Sequence, residues 1–217
     1  SFIEDCMGEV YDADARESFI RYWVKLRSKY DFPFWAATLA KIKNKKGGRN
    51  ISFILNFPQR YLIEELESVR KAGLPIRIIL LKARQWGGST LIQLYIAWIQ
   101  LVHKEGWYSS IVAQDKSTSY KIMEMFSKLL AEYPPWMLDL SSENPIYFGS
   151  YGRSSNDFII KQNSKVVRDS VISIGSVLAP QSIRGGDIAC FHTSEVGVWS
   201  ETAQCNPENI IRSVAGS

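Results

Sequence analysis

The sequence "ILLKARQWGGSTLIQL", residues 79–94, joins a continuous apolar run to a turn with two glycines and a second apolar run. A strand, a glycine-bearing turn and a helix in this order form a phosphate-binding loop, whose usual pattern is G-x-x-x-x-G-K-[ST]. Gly87 and Ser89 fit the pattern, but Lys82 stands in the place of the first glycine and Gly88 in the place of the lysine. The residues leave two interpretations open: a phosphate-binding loop with a displaced lysine, or an ordinary corner between a strand and a helix.

The residues of this turn provide most of what a bound triphosphate requires. Such a ligand needs backbone N–H groups aimed at it, a helix amino terminus behind it, a nearby cation and a hydroxyl group for Mg²⁺. Gly87 and Gly88 allow close approach of the backbone, and Ser89 supplies the hydroxyl group. Lys82 has a four-carbon stem long enough to fold back over the loop as the cation. The candidate ligands in the loop are Lys82, Arg84, Gly87, Gly88, Ser89 and Thr90.

A second candidate element is "IACFHTSE", residues 188–195, in which an apolar run leads to a carboxylate. An enzyme that hydrolyses a nucleoside triphosphate needs a group beyond such a strand to orient the attacking water. Ile188 to Phe191 can be buried, and Glu195 past the end of this strand is the candidate for the orienting group. The alternative is an ordinary surface carboxylate. Ser194 stands where an aspartate usually holds Mg²⁺ through water, and its hydroxyl group adds no charge.

A third candidate is Gln59, in the stretch "NFPQRYL" that precedes the loop. Its side-chain amide offers one donor group and one acceptor atom, which is what the edge of an adenine ring needs. The alternative is an exposed residue in the first turn of a helix.

The bulk composition indicates a folded domain and excludes several classes of protein. The chain has 217 residues, 46% of them apolar, with a net charge of +4. This is enough apolar material for a substantial core, and the mild positive charge permits contact with a polyanion without requiring it. Three cysteines and two histidines without ligand spacing argue against a disulfide framework and a structural zinc site. No apolar run approaches the roughly 20 residues of a membrane span.

The pattern of apolar and turn residues predicts an α/β fold with a mostly parallel sheet. Residues 1–50 are expected to form a helical lead-in and a basic tip, "KIKNKKGGR" at 41–49, more simply explained as a solvated hairpin than as a DNA contact. Residues 51–217 are expected to form the core. Helices are predicted at 1–30, 56–73, 89–103 and 115–133, and strands at 76–83, 109–114, 157–162, 166–177 and in the stretch 186–199.

Four stretches together resemble a known family: "FILNFPQRYL", "LLKARQWGGST", "SIRGG" and "ACFHTSEVGVW". In this order they are similar to the ATPase domain of the large terminase subunit of tailed bacteriophages, a motor that packages double-stranded DNA into a preformed capsid. The resemblance extends from about Phe34 to Trp199 and implies a P-loop NTPase fold of the ASCE or RecA-like type.

The resemblance also implies roles for individual residues. Some terminases carry the lysine at the first loop position, where Lys82 stands, and the Arg84-Gln85 pair resembles a pair in many terminase loops. The resemblance makes Glu195 the catalytic glutamate, Gln59 the adenine contact and Arg184 an arginine finger, although a simple turn arginine is the alternative for Arg184. The implied catalytic residues are Glu195, Lys82 and Arg184. The implied nucleotide-binding residues are Gln59, Lys82, Arg84, Gln85, Trp86, Gly87, Gly88, Ser89 and Thr90. For the metal, the resemblance implies that Ser89 binds Mg²⁺ and that Ser194 contacts it through water.

The same resemblance implies the cofactors and partners. These are ATP and Mg²⁺, double-stranded DNA, a portal protein, a small terminase subunit and a homo-oligomeric ring in the host cytoplasm, without a membrane. The family's coupling motif and nuclease domain are expected beyond Ser217, so this chain should not cut DNA and should hydrolyse ATP poorly alone. Two alternatives remain open: another P-loop DNA motor such as a helicase, and a nucleotide-binding assembly module without hydrolysis.

Overall fold

A computed structural model describes residues 12–44, 46–82, 85–152, 155–178, 187–199 and 206–215. Two helices open the described chain, α1 at Ala13–Tyr30 and α2 at Phe32–Leu39. Asp31 ends the first and caps the second, because its side chain accepts a hydrogen bond from the backbone N–H of Phe34 at 2.8 Å. The sequence prediction of a first helix is confirmed over 13–30, and residues 1–11 lie outside the described part.

A short hairpin and a capped helix follow, both as the sequence predicts. Strands β1 (Lys41–Ile42) and β2 (Ile51–Ser52) pair antiparallel and carry the basic tip between them. Helix α3 (Phe57–Lys71) begins with a capping box, in which the Asn56 side chain accepts from the Gln59 N–H at 3.1 Å. The Gln59 side chain in turn accepts from the Asn56 N–H at 2.9 Å. Two exchanged hydrogen bonds therefore fix the start of this helix.

The sequence prediction of a strand at 76–83 is wrong for residues 76–82, which are the ones that the structure describes in this range. Residues 74–82 have no regular secondary structure, and no strand of the described chain pairs with them. Ile79 and Leu81 are 99% and 98% exposed. A continuous apolar run signals a segment that gains from burial, but a strand also needs a neighbouring backbone to exchange hydrogen bonds. No described residue provides that neighbour.

The helix that follows the loop is the most buried helix element of the core. Helix α4 (Gly88–Trp98) continues into a π-helical turn at Ile99–His103, in agreement with the helix predicted at 89–103. Leu91, Leu94 and Trp98 are fully buried, and the Trp98 indole N–H donates to the Ser28 carbonyl oxygen of α1 at 2.8 Å. Helix α2 packs against α4 as well. The predicted helix that is apolar nearly all round is confirmed.

Five strands form the main sheet: β3 (Tyr108–Ala113), β4 (Ile146–Ser150), β5 (Asp157–Gln162), β6 (Lys165–Ser176) and β7 (Cys190–Thr193). Their order in space is β4-β5-β6-β3-β7. The pairs β3–β6 and β3–β7 are parallel, whereas β4–β5 and β5–β6 are antiparallel, so the sheet is mixed. The antiparallel β5–β6 pair is a tight hairpin that the sequence prediction missed, closed by Asn163 and Ser164, which both have positive φ.

Helices cover both faces of this sheet, which confirms the α/β class. Ile111 belongs to the larger core cluster with α4 and with α5 (Lys116–Ala131), which packs against β3, β4 and β6. Its neighbour Val112 belongs to a smaller cluster with Ile210 of α6 (Pro207–Ala215). Because successive strand residues point to opposite faces, the two clusters lie on opposite sides of the sheet. Helix α6 was not predicted from the sequence, nor was β4.

Strand β7 forms one edge of the described sheet and is less buried than predicted. Ile188 and Cys190 to Thr193 are half-buried, and Ala189 is exposed. The expectation that Ile188 to Phe191 can be buried is confirmed only in part: Ile188, Cys190 and Phe191 pack against the two core clusters, but none is fully buried. An edge strand lacks a neighbour on one side. Within the described residues, none of the helices combines the length and apolar composition that a membrane crossing needs.

The exposure of residues 74–82 leads to a stability prediction. Leu81→Ala should change the free energy of unfolding by no more than about 0.5 kcal/mol, because its side chain is 98% exposed. Leu91→Ala is the matched control and should cost about 2–5 kcal/mol, because Leu91 is fully buried in α4. Denaturant unfolding measures both values. A loss at Leu81 as large as that at Leu91 would show that the run is buried.

Candidate nucleotide-binding site

The turn before α4 has a backbone conformation that suits an anion. Gln85 and Gly87 both lie in the left-handed region, with φ values of +66° and +79°. Gly87 is the N-cap of α4, and no side chain caps this end of the helix. The first N–H groups of α4 are therefore not used by a capping side chain, and a helix amino terminus of this kind favours negative charge.

Two side chains at the start of α3 hold the turn in place. The Gln59 Nε2 donates to the Trp86 carbonyl oxygen at 2.9 Å, and the Asn56 Nδ2 donates to the same oxygen at 3.3 Å. Gln59 is only 3% exposed, so the alternative of an exposed first-turn residue is wrong. Its Oε1 also accepts from the Asn56 N–H, which leaves one N–H and one lone pair of the amide for another partner.

The side chain of Lys82 lies against the glycine that begins α4. Its Cδ is 3.0 Å from the point where a Cβ on Gly88 would lie, and the Trp86 ring comes equally close to that point. A side chain at position 88 would force both to shift by a few tenths of an ångström. Lysine at the first position of the loop and glycine at position 88 therefore fit together sterically, since the space above residue 88 is already filled.

The end of β7 places Glu195 in a conformation that costs energy. Glu195 has a φ of +59° and is exposed, whereas Ser194 is 4% exposed, with its N–H donating to the Val112 carbonyl oxygen at 2.9 Å. Five described non-glycine residues have positive φ: Gln85, Asp139, Asn163, Ser164 and Glu195. Asp139 ends a 3₁₀ turn, and Asn163 and Ser164 form the hairpin turn. The two that remain are both candidate site residues, and such strain concentrates at functional sites.

His192, which the sequence analysis did not single out, faces the loop side of the sheet. Cys190, two residues earlier on β7, packs against the larger core cluster that contains α4, whereas Phe191 packs against the opposite cluster. Alternation therefore turns His192 and Ser194 toward the α4 side. Burial, assisted by the positive charge of Lys82, lowers the pKa of His192 to about 4, so its imidazole is neutral near pH 7. A histidine in an apolar strand gave no signal in the sequence.

The remaining candidates are only partly placed. Ser89 and Thr90 are half-buried in the first turn of α4, and Trp86 is half-buried beside Gly88. Arg84 and Arg184 lie outside the described residues. Within the described residues, no group of three or more histidine, cysteine, aspartate or glutamate side chains could hold a metal ion. Mg²⁺ on a bound triphosphate does not need such a group, because it keeps several waters and takes oxygens from the phosphates.

Comparison with known proteins does not identify a family for this chain. No protein-family model matches the chain, and no curated protein matches it.

The crowding around Gly87 generates a prediction with a matched control. A Cβ on Gly87 would lie 2.7 Å from the Gln59 Nε2, whereas a Cβ on Gly48, with a φ of +82°, would meet nothing within 4 Å. Gly48→Ala should therefore lower the free energy of unfolding only by the cost of holding an alanine in the left-handed conformation, about 1–2 kcal/mol. Gly87→Ala should cost more, because it also displaces the amide bonded to the Trp86 carbonyl oxygen. Equal losses in denaturant unfolding would contradict the contact between Gln59 and the turn.

Proposed function

We propose that this chain is the ATPase motor domain of a phage terminase large subunit, with a P-loop NTPase fold, coupling hydrolysis of Mg²⁺-bound ATP to translocation of double-stranded DNA into a procapsid. One contact carries most of the weight: the Lys82 side chain lies over Gly88 at the amino end of α4. A displaced lysine in a phosphate-binding loop must fold back to this place.

The described residues suit the binding of a triphosphate. The first-turn N–H groups of α4 and the Lys82 ammonium would supply positive charge, and the left-handed Gly87 permits close approach of the phosphates. Ser89 offers a hydroxyl group to Mg²⁺ and Ser194 offers one to a metal-bound water, both without charge. The ion, when bound, would neutralise charge that develops on the phosphate oxygens.

Catalysis would use an oriented water and fixed positive charge. Glu195 stands exposed just beyond β7, where its carboxylate can accept a proton or a hydrogen bond from the attacking water. Lys82 and the loop N–H groups would stabilise the negative charge that develops on the phosphate oxygens in the transition state. Electrostatic stabilisation of this kind is usually the largest single contribution to catalysis. Arg184 would act on the nucleotide of a neighbouring subunit in a ring.

The remaining parts of the proposal concern partners. DNA would be held through phosphate contacts, to which a net charge of +4 is suited. A portal protein, a small terminase subunit and further copies of the chain would complete the motor in the host cytoplasm.

The first test is the binding of a fluorescent, non-hydrolysable ATP analogue with Mg²⁺. The chain should bind it, and Lys82→Met should weaken binding about ten- to a hundredfold, because charge-assisted hydrogen bonds contribute about 1.5–3 kcal/mol. Lys121→Met is the control, since Lys121 is exposed on α5 away from the loop, and should leave binding unchanged. No binding by the unaltered chain, or no effect of Lys82→Met, would overturn the assignment.

The second test separates a motor from a binding module. Glu195→Gln should lower the rate of ATP hydrolysis about 10²- to 10⁴-fold with little change in binding, which is the range for loss of a general base. Glu65→Gln, an exposed carboxylate on α3, is the control and should hydrolyse ATP at the original rate. Binding without any hydrolysis at high protein concentration would favour the assembly module instead, and an unchanged rate in Glu195→Gln would remove Glu195 from catalysis.

A further inference from the structure

The basic tip between β1 and β2 is a charged feature that the candidate nucleotide-binding site does not use. Five of the nine residues at 41–49 are lysine or arginine, and the sequence has no acidic residue between Asp31 and Glu64. Lys45 lies outside the described residues. A long stretch without acids leaves the positive charge of the tip uncompensated by its own segment.

Hydrogen bonds hold the backbone of the tip in a defined turn. The Asn44 Oδ1 accepts from the Lys46 N–H at 3.0 Å, and the Asn44 carbonyl oxygen accepts from the Gly47 N–H at 3.0 Å. At the base of the hairpin, the Lys41 Nζ donates to the Ser52 Oγ at 2.7 Å. Cations on such a fixed turn lose less conformational freedom on binding than cations on a flexible segment.

The hairpin lies beside α5, whose carboxylates already have partners. Strand β1 packs against α5, and the Asn50 Nδ2 donates to the Glu132 Oε1 at the end of that helix at 2.5 Å. Glu124 forms a salt bridge with Lys128 at 2.6 Å. The hydrogen bond and charge of Lys128, followed by the charge of Lys43, lower the pKa of Glu124. The acids of α5 are therefore occupied mainly by groups outside the tip or by a neutral amide.

Three cations of the tip face solvent. Lys43, Lys46 and Arg49 are exposed, and none of their side chains forms a hydrogen bond or ion pair with another described residue. A Cβ added to Gly47 or Gly48 would meet no atom within 4 Å, so the surface between these cations is open to a partner.

The composition of the tip favours the phosphates of a nucleic acid duplex over other polyanions. Residues 41–50 include no aromatic side chain, although surfaces that bind single strands usually stack bases on aromatic rings. Residues 43–50 include no large apolar side chain, although segments that bind membrane surfaces bury such side chains among the lipids. Duplex phosphates require only exposed cations, since this binding is dominated by charge.

We propose that Lys43, Lys46 and Arg49 form a surface that binds the phosphates of double-stranded DNA without regard to base sequence. This inference deepens the proposed function, on which the choice of DNA as the duplex rests. Contacts to phosphates position a protein on the duplex but carry no sequence information, which suits a protein that acts along the whole length of a DNA molecule.

The salt dependence of DNA binding tests the surface, measured by fluorescence anisotropy with a labelled duplex and no nucleotide. The triple variant Lys43→Gln, Lys46→Gln, Arg49→Gln should lower the slope of log affinity against log salt concentration by about 3, because each lost phosphate contact removes about 1. Its affinity should be about ten- to a hundredfold lower at 50 mM salt, and the difference should shrink as salt is added.

A second triple variant controls for net charge. Lys29→Gln, Lys71→Gln, Arg77→Gln removes the same three positive charges from exposed positions on α1, on α3 and in the segment 74–82. Its affinity should stay within about threefold and its slope unchanged, because salt screens charges that make no direct contact. All six substitutions change exposed side chains, so denaturant unfolding should be nearly the same for both variants and the unaltered chain.

The remaining outcomes overturn the proposal. These are equal losses in the two triple variants, an unchanged slope in the tip variant, or no binding of the duplex by the unaltered chain. Tighter binding of single strands than of the duplex would also contradict it. So would binding of vesicles rich in phosphatidylserine at least as tightly as DNA, because the tip would then be a membrane-binding surface.

Binding of the ATP analogue separates this inference from the proposed function. Both triple variants should bind the analogue as the unaltered chain does, since neither alters the loop before α4. A chain that binds DNA through the tip but no analogue would overturn the motor and leave the DNA surface in place. A chain that binds the analogue but no DNA would overturn the DNA surface and leave the nucleotide site in place.

Discussion

The left-handed turn at Gly87 depends on the Trp86 carbonyl oxygen, which accepts from both Gln59 and Asn56. This oxygen ties the turn to the capped start of α3, and the turn in turn sets where α4 begins. The tie replaces the support that a paired strand normally gives to such a loop, since residues 74–82 have no partner among the described residues. The Lys82 side chain lies against Gly88, the residue that follows this turn.

Steric fit and electrostatics then account for the unusual arrangement of the loop. A Cβ at residue 88 would be crowded by the side chains of Lys82 and Trp86, each about 3.0 Å away. Lys82, at the other end of the loop, is the candidate cation. Glu195 lies beyond the end of β7, in a left-handed conformation that is uncommon for a residue other than glycine.

The sequence predicted local structure well where capping and periodicity decide it. Asn56, Pro58 and Gln59 determine the start of α3 within their own turn, and the apolar residues of α4 are distributed around the whole helix, as expected for a helix buried in a core. The sequence prediction failed where the structure depends on pairing between distant segments. The apolar run at 76–83 contains no information on whether a neighbouring strand is present, and the two-residue turn at Asn163 carries no glycine to announce a hairpin.

The candidate site was predictable only in part, for a related reason. The pattern of the loop pointed to Lys82, Gly87 and Ser89, but the bond of Gln59 to the Trp86 carbonyl oxygen joins residues distant in sequence. A glutamine in a first helical turn looks ordinary on its own. Only the fold brings it to the loop.

The most direct measurement is a crystal structure of the chain with a non-hydrolysable ATP analogue and Mg²⁺. The account predicts the Lys82 Nζ within about 2.7–3.2 Å of a β- or γ-phosphate oxygen. An ammonium group that points into solvent, beside a closed turn with no bound anion, would contradict it.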